Sequence, residues 1–364
     1  MIRVKLLNKI SPSGLDVFPK GQYACSEDET APDAIMVRSA AMHEYAFEPG
    51  LRAIARAGAG VNNIPIDACS EKGIVVFNTP GANANAVKEL AMAALLLSSR
   101  KLVPAIEWAA TLAGEGDAVP KLVEKGKGKF AGPELSGKTL GVVGLGAIGV
   151  MVANLARHFG MTVYGYDPYL SVKAAWAISH EIRRANSLSE IYEKCDYITL
   201  HVPMNAETRE MINSSSIASM KAGVRILNFA RGELVCTEDI VAALEEGKVA
   251  AYVTDFPNAQ LIGVKGVIAI PHLGASTPES EDNCARMAAE QLRDYLENGN
   301  IRNSVNLPEL VMERSGRVRI GVIHRNIPNM ISQVTQAFSD AGINIENMTN
   351  KSRGDYAYTV VDVN

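Results

Sequence analysis

Two side chains that could carry chemistry each stand just after an apolar run. Arg231 follows the run 224–228 within Asn-Phe-Ala-Arg-Gly, and His272 follows the run 266–270 within Pro-His-Leu-Gly-Ala-Ser-Thr. A guanidinium fork suits bidentate binding of a carboxylate. An imidazole titrates near neutral pH and can accept a proton. The two residues together predict a site that binds an acid and removes a proton from it.

His201 is an alternative base. It also follows an apolar run, 196–200, and it opens the segment His-Val-Pro. We expect that loop to flank a cofactor rather than to reach the reacting group, so His272 is the preferred base.

A glycine motif precedes both candidates. Gly144, Gly146 and Gly149 form G-x-G-x-x-G directly after the apolar run 139–143, and an apolar helical stretch follows from Ala147 and Ile148. The first glycine permits a tight turn, the second admits a pyrophosphate, and the third allows close packing of helix on strand.

Asp167 ends the next apolar run, 162–166, about 20 residues beyond the motif. A carboxylate there accepts hydrogen bonds from ribose hydroxyls and repels a 2′-phosphate. The motif and the aspartate therefore predict an NAD site.

Alternating strands and helices organise the chain around these residues. The pattern predicts strands at 3–7, 34–37 and 74–78, a helix leading into a strand over 51–57, a polar surface connection over 114–137, and a second strand-helix series from 138 to 271. We expect an α/β protein with two doubly wound parallel-sheet domains, a flavodoxin-like one and a Rossmann one. The expected domains are 1–82 with 275–307, 83–274, and 316–364.

The composition excludes several classes of protein. A net charge of −4 argues against broad nucleic-acid binding. The apolar stretches are too short to span a bilayer. Five scattered cysteines, with no CxxC pair and no histidine at ligand spacing, indicate reduced thiols and no metal site. We expect a cytoplasmic protein.

The motifs together resemble the D-2-hydroxyacid dehydrogenases, and within that family the enzymes that act on 3-phosphoglycerate, over essentially the whole chain. The resemblance implies that Arg231 binds substrate and that His272 is the acid/base. It also implies that the cofactor is lined by Val202, Pro203, Phe229, Ala230, Arg231, Asp255, His272, Gly274 and Ala275.

The resemblance extends to an expected phosphate site. Val-Arg-Ser and Ala-Arg-Ala-Gly resemble two arginine segments of the family and imply Arg38, Ser39 and Arg56 as phosphate ligands, with Asn62 helping. The implied reaction gives 3-phosphohydroxypyruvate, the first step of serine biosynthesis. The alternatives are an unphosphorylated acid, such as glycerate, hydroxypyruvate or glyoxylate, and a catalytically weak NAD sensor.

Gln260 departs from the family pattern. The family has a catalytic glutamate at this position, 29 residues after the arginine, and the sequence nearby supplies no other carboxylate. Glutamine can orient an imidazole but does not stabilise its cation as a carboxylate does. We therefore expect slower turnover than in a glutamate-bearing relative.

The tail over 316–364 predicts strand, helix, strand, strand, most of a ferredoxin-like unit. It resembles an ACT domain and implies His324, Asn326 and Asn344 as contacts of a serine effector, although Asn329 replaces a glycine common in that family. The second helix and fourth strand are absent, so the module is either truncated or completed by a neighbouring chain. Feedback inhibition and a role in assembly both stay open, and we expect a homodimer or a higher homo-oligomer.

Overall fold

The computed structural model describes all 364 residues. They form two compact units, which are described separately below. Unit 1 comprises Met1–Asn83 and Thr277–Asn364, and unit 2 comprises Ala84–Ser276. None of the helices combines the length and the apolar character needed to cross a membrane.

The first part of unit 1 is a five-stranded parallel sheet in the order β2-β1-β3-β4-β5. This is the strand order of flavodoxin-like folds, as predicted. Its elements are β1 (Ile2–Leu7), α1 (Pro12–Leu15), β2 (Tyr23–Ser26), β3 (Ala34–Val37), β4 (Ala53–Arg56), α2 (Ile66–Glu71) and β5 (Val75–Phe77). Part of the prediction for 51–57 is wrong, because a strand forms there without a preceding helix.

Unit 2 is built on a seven-stranded sheet whose paired strands are all parallel. Its helices are α3 (Ala84–Arg100), α4 (Leu102–Ala110), α5 (Val119–Gly126), α6 (Ala147–His158), α7 (Val172–Ala177), α8 (Leu188–Lys194), α9 (Ser214–Ser219) and α10 (Thr237–Glu245). Its strands are β6 (Thr139–Val143), β7 (Thr162–Tyr166), β8 (Arg183–Arg184), β9 (Tyr197–Leu200), β10 (Val224–Asn228), β11 (Val249–Thr254) and β12 (Val267–Ala269).

The strand order of unit 2, β12-β11-β10-β9-β6-β7-β8, reverses direction at β6 and β9. This is the doubly wound order of dinucleotide-binding sheets, extended by one strand, and it confirms the predicted class. The long apolar helix α3 packs against α6, β10 and β11 and so covers one face of the sheet.

The polar connection predicted over 114–137 is wrong in one respect, because it contains α5. Pro120 lies in the first turn of this helix, where its missing N–H costs nothing. Gly126 ends the helix and lies so close to the Trp108 ring that a Cβ would meet it at 2.3 Å.

The chain returns to unit 1 with α11 (Pro278–Asn298), capped by the Thr277 side chain and ended by left-handed Gly299. The tail then forms β13 (Val318–Arg325), α12 (Met330–Asp340), β14 (Ile345–Arg353) and β15 (Tyr356–Val363). Its three strands pair antiparallel in the order β13-β15-β14. The predicted strand-helix-strand-strand order is therefore confirmed.

Two apolar cores explain why the strands of unit 1 are buried on both faces. Alternate residues of β3 belong to different cores: Met36 lies in the core that includes Ala288 of α11, whereas Ile35 lies in the core that includes Cys69 of α2. Tyr358 of β15 belongs to the α11 side. The tail therefore shares its core with the first sheet of unit 1.

A buried ion pair holds the tail in place. Arg319 donates to both carboxylate oxygens of Asp362 at 2.6 and 2.8 Å, and both side chains are almost fully buried. The same guanidinium donates to the carbonyls of Asn298 and Met312. The pairing holds the pKa of Asp362 far below its usual range. Each nitrogen of the guanidinium thus has a hydrogen-bond acceptor, as the burial of a charged group requires.

We predict that Asp362→Asn lowers the free energy of unfolding by about 3 to 5 kcal/mol, because it leaves the Arg319 charge buried without its counter-ion. Urea unfolding at pH 7 measures the loss. The depressed pKa makes this contribution complete above pH ~4 and makes it fade as the pH falls further, so the gap to the wild type narrows at pH 3. The double change Arg319→Met with Asp362→Leu removes both charges and should recover most of the loss; equal instability of both variants contradicts the explanation.

Candidate functional site

Arg231, Asp255 and His272 follow three neighbouring strands of unit 2. They come after β10, β11 and β12, which pair in parallel, so all three emerge at the same edge of the sheet. Burial raises the pKa of Asp255, and the charges of His272 and Arg231 act in the opposite direction. The structure therefore brings the two residues predicted to do chemistry within electrostatic reach of one buried carboxyl group.

The Asp255 side chain is 1% exposed, and its Oδ1 has no hydrogen-bond partner. A buried acceptor without a donor costs on the order of 1 to 3 kcal/mol, so the site favours a ligand that brings a polar hydrogen to it. The carboxamide of a nicotinamide is such a group, and Asp255 fits the predicted cofactor in this respect.

The imidazole of His272 makes no hydrogen bond within the chain, and its ring lies 4.8 Å from the Phe256 ring. The Arg231 side chain is exposed and donates to the carbonyl of Ala230 at 2.6 Å. The proton-accepting group and most of the guanidinium donors are thus available to a ligand.

The structure does not hydrogen-bond Gln260 to His272. The Gln260 amide is exposed and donates to Glu238 Oε1 at 3.1 Å. Glu238 belongs to the first turn of α10. The fold therefore places a carboxylate beside Gln260 that the sequence around residue 260 does not contain.

The glycine turn has the geometry that its motif predicts. Gly144 has φ +90°, and a Cβ there would lie 2.5 Å from the carbonyl oxygen of His201. A Cβ on Gly149 would lie 1.9 Å from the Gly144 oxygen, whereas Gly146 faces open space. No side chain caps the N-terminus of α6, so the first N–H groups of the helix, beginning at Ala147 and Ile148, are left for an anion.

Asp167 lies at the edge of a cavity of ≈ 780 Å³ in unit 2. Its two carboxylate oxygens accept from the backbone N–H groups of Leu145 and Tyr169, both at 2.8 Å. These bonds hold the carboxylate against the glycine turn, and each oxygen keeps a second lone pair for a ribose hydroxyl.

The loop after β9 packs under the glycine turn. Burial lowers the pKa of His201 to about 4, its Nε2 lies 3.0 Å from Thr199 Oγ1, and its Nδ1 is buried without a partner. A ring that stays neutral at pH 7 and binds a proton so weakly is a poor general base. This favours His272 over His201.

The other residues expected to line the cofactor follow the same strands. Val202 and Pro203 continue the loop after β9, and the side chain of Val202 would lie 2.8 Å from a Cβ on Gly144. Phe229 and Ala230 directly follow β10. Gly274 would place a Cβ 3.6 Å from Asp255 Oδ2, and Ala275 is its chain neighbour. All of these residues belong to unit 2.

The expected phosphate residues lie at the carboxyl edge of the first sheet of unit 1. Arg38 follows β3 and donates to Glu281 Oε1 at 2.6 Å. The Arg56 guanidinium donates to the carbonyls of Arg38 and Gly60. Ser39 and Asn62 are exposed, and the Asn62 carbonyl contacts His43 Nε2.

Lys9 is a further cation beside these residues, and none of the sequence motifs includes it. It follows β1 at the same edge, it is exposed, and it lines a small cavity together with Arg38, Ala57 and Glu281. Its position in the sequence could have indicated it, because Lys9 is a cation within two residues of the carboxyl end of a strand, and sheets of this class bind ligands at that edge.

The expected effector residues are already engaged within the tail. His324 lies within 3.0 Å of the Arg325 carbonyl and of Thr359 Oγ1 through its two ring nitrogens. Asn326 donates to the Gly354 carbonyl and Asn344 to Glu346 Oε1. The described residues contain no group of His, Cys, Asp and Glu that could hold a metal ion.

Comparison with known proteins agrees with the geometry of unit 2. Residues 92–274 match the model of the D-isomer specific 2-hydroxyacid dehydrogenase, NAD binding domain. Among solved structures, NAD⁺-bound 3-phosphoglycerate dehydrogenase of Entamoeba histolytica is 26% identical with a TM-score of 0.65, covering 84% of this chain and 98% of that one. Rhodotorula graminis D-mandelate dehydrogenase is 25% identical with a TM-score of 0.70, covering 84% and 97%.

Two curated relatives are D-3-phosphoglycerate dehydrogenases. That of Methanocaldococcus jannaschii is 36% identical over 300 residues, 81% of this chain and 54% of the relative. That of Bacillus subtilis is 33% identical over 366 residues, 95% of this chain and 67% of the relative. The chain thus spans about half to two thirds of the length of these relatives. By these matches the chain belongs to the D-isomer specific 2-hydroxyacid dehydrogenase family.

Proposed function

We propose that this chain catalyses the NAD-dependent oxidation of 3-phospho-D-glycerate to 3-phosphohydroxypyruvate, the reaction that opens serine biosynthesis. The observation that carries the proposal is the convergence of Arg231, Asp255 and His272 at one edge of a dinucleotide-binding sheet. The similarity to D-3-phosphoglycerate dehydrogenases over most of the chain supports the choice of substrate.

Each of the three residues has a distinct part in the proposed reaction. Arg231 binds the substrate carboxylate with its planar fork and so fixes the C2 hydroxyl beside His272. His272 accepts the hydroxyl proton while the C2–H bond breaks with its electron pair and the C2 carbonyl forms. NAD, when bound, supplies the acceptor for that hydride. Asp255 holds the cofactor amide through Oδ1 and balances the positive charge that develops on His272.

The glycine turn and Asp167 account for the proposed choice of NAD over NADP. The open N-terminus of α6 binds the pyrophosphate, and the backbone-anchored Asp167 carboxylate binds the ribose. A 2′-phosphate would bring negative charge against that carboxylate.

An unphosphorylated 2-hydroxy acid is the rival substrate, because structures of similar fold include D-mandelate dehydrogenase and a glyoxylate reductase. A phosphorylated substrate requires cations in addition to the carboxylate-binding arginine, and the resemblance of Val-Arg-Ser to a family segment supports Arg38 in that role. Arg56 donates to the Arg38 carbonyl, with Ser39 and Asn62 nearby.

We further propose a homo-oligomer in the cytoplasm. Helix α4 buries none of its residues and exposes 67% of Ile106, an apolar face suited to a second copy. The five cysteines are unpaired, as in a reducing compartment. Serine as an effector at His324, Asn326 and Asn344 stays a prediction, to be tested by assaying turnover with and without serine.

We predict that Arg231→Lys lowers kcat/KM for 3-phosphoglycerate about 100-fold, because a lysine cannot make two parallel hydrogen bonds to the carboxylate. NADH formation is followed with 3-phosphoglycerate, D-glycerate and D-lactate. Arg286→Lys, on the exposed surface of α11, is the matched control and should leave kcat/KM unchanged. Equal kcat/KM for the phosphorylated and unphosphorylated acids contradicts the proposed substrate, and NAD binding without NADH formation indicates a sensor.

We predict that Gln260→Glu raises kcat and moves the acid limb of the pH–rate profile upward by about one unit, because a carboxylate stabilises the imidazolium that His272 becomes. The profile of kcat/KM from pH 5 to 9 is the measurement. Glu238→Gln in the same background removes the neighbouring like charge and should not reverse the shift. Profiles of wild type and variant that coincide would show that residue 260 does not act on the base.

A further inference from the structure

The carboxyl edge of the first sheet in unit 1 carries one cation with no partner. Lys9 follows β1, its side chain is exposed, and its ammonium makes neither a hydrogen bond nor an ion pair within the chain. It lines one small cavity together with Ser11, Arg38 and Glu281. An unpaired ammonium at the ligand-binding edge of a doubly wound sheet is placed to meet an anion.

The Arg56 guanidinium, whose segment suggested a phosphate ligand, donates to the backbone of this edge. Its Nε donates to the Arg38 carbonyl at 2.9 Å, and its Nη1 donates to the Gly60 carbonyl. The guanidinium is partly buried, and a Cβ on Gly58 would lie 3.2 Å from Nη1. Arg56 therefore fixes the backbone that presents Arg38.

Asn8 ties Lys9 to the Arg38 loop. It has φ +73°, and its Oδ1 accepts from the backbone N–H of Ser39 at 3.0 Å and of Ala40 at 2.7 Å. Lys9 is the next residue in the chain, so the bond fixes the relative position of the two loops. The lysine and the arginine are held at one place by the backbone, not only by flexible side chains.

A carboxylate already occupies the Arg38 guanidinium. Glu281 Oε1 lies 2.6 Å from Arg38 Nη2, and both side chains are about two fifths exposed. A partly exposed pair of this kind contributes little net free energy, so an incoming anion can displace it. A phosphate monoester carries more charge than a carboxylate and three acceptor oxygens, and it competes better for a guanidinium.

We propose that Lys9 and Arg38 together bind the phosphate of the substrate, and that Glu281 is a specificity residue that a phosphate displaces and an uncharged group does not. The inference rests on the proposed function for the identity of the substrate. Lys9 supplies the ammonium that pairs with the dianion, and Arg38 supplies the fork. Glu281 keeps Arg38 neutralised in the absence of a phosphate.

The test compares KM for 3-phosphoglycerate and for D-glycerate in four variants. Lys9→Met should raise KM for 3-phosphoglycerate about tenfold and leave D-glycerate within about twofold, because only the former carries the phosphate. Glu281→Gln should lower KM for 3-phosphoglycerate about threefold. Lys72→Met is the matched control. It removes the same charge from an exposed position just before β5, at the amino edge of the sheet, whereas Lys9 lies at the carboxyl edge. Lys9→Gln repeats the first change with a polar side chain.

Equal effects of Lys9→Met and Lys72→Met overturn the inference, as does an equal rise in KM for both substrates. A second readout separates this failure from failure of the proposed function. Thermal unfolding is followed with and without inorganic phosphate, which needs no turnover. If the wild type does not oxidise 3-phosphoglycerate, a phosphate-induced rise in Tm that Lys9→Met abolishes still supports the site, and a rise that both proteins share, or none, overturns it.

Discussion

Parallel pairing of β10, β11 and β12 is the constraint on which the candidate site depends. Asn228 pairs with Thr254 and Thr254 with Ala269, so the three strands end together. Residues that follow them must therefore emerge at one edge, although Arg231 and His272 are far apart in the sequence. A change of register by one residue in any of these strands would move every side chain of that strand to the opposite face of the sheet. The hydrophobic core of unit 2 thus sets the geometry of its polar edge.

The buried Asp255 carboxyl group interacts electrostatically with both His272 and Arg231 at this edge of the sheet. Burial raises its pKa, and backbone N–H groups and two cationic side chains oppose the rise; those side chains belong to His272 and Arg231, the residues proposed to deprotonate and bind the substrate. A charge in such a place is tolerable only when it is compensated. Its unpaired Oδ1 leaves part of that compensation to a ligand. In this proposal, a cofactor that binds Asp255 Oδ1 also acts on the carboxyl group that interacts with His272 and Arg231.

Local signals in the sequence were enough to predict both sheets and the edge at which the candidate site lies. The glycine motif predicted the turn that Gly144 makes at φ +90°, and strand ends predicted where Arg231 and His272 emerge. Local signals could not predict contacts between segments that are distant in the sequence. Glu238 reaches Gln260 only because α10 packs beside the loop after β11, and the donors of Arg56 go to backbone carbonyls that a sequence does not position. Helix α5 was missed because its glycine and lysine content is that of a loop.

The anion sites proposed for the two parallel sheets differ in the source of their positive potential. In unit 2 the glycine turn leaves the N-terminus of α6 open, so backbone N–H groups and the helix dipole provide the positive potential. In unit 1 the long helix α11 begins with Glu279 and Glu281, and Thr277 caps it. The positive end of the helix dipole is therefore already compensated by these carboxylates. Positive potential at that edge must therefore come from side chains, and the balance of Lys9 and Arg38 against Glu281 decides which acids unit 1 accepts.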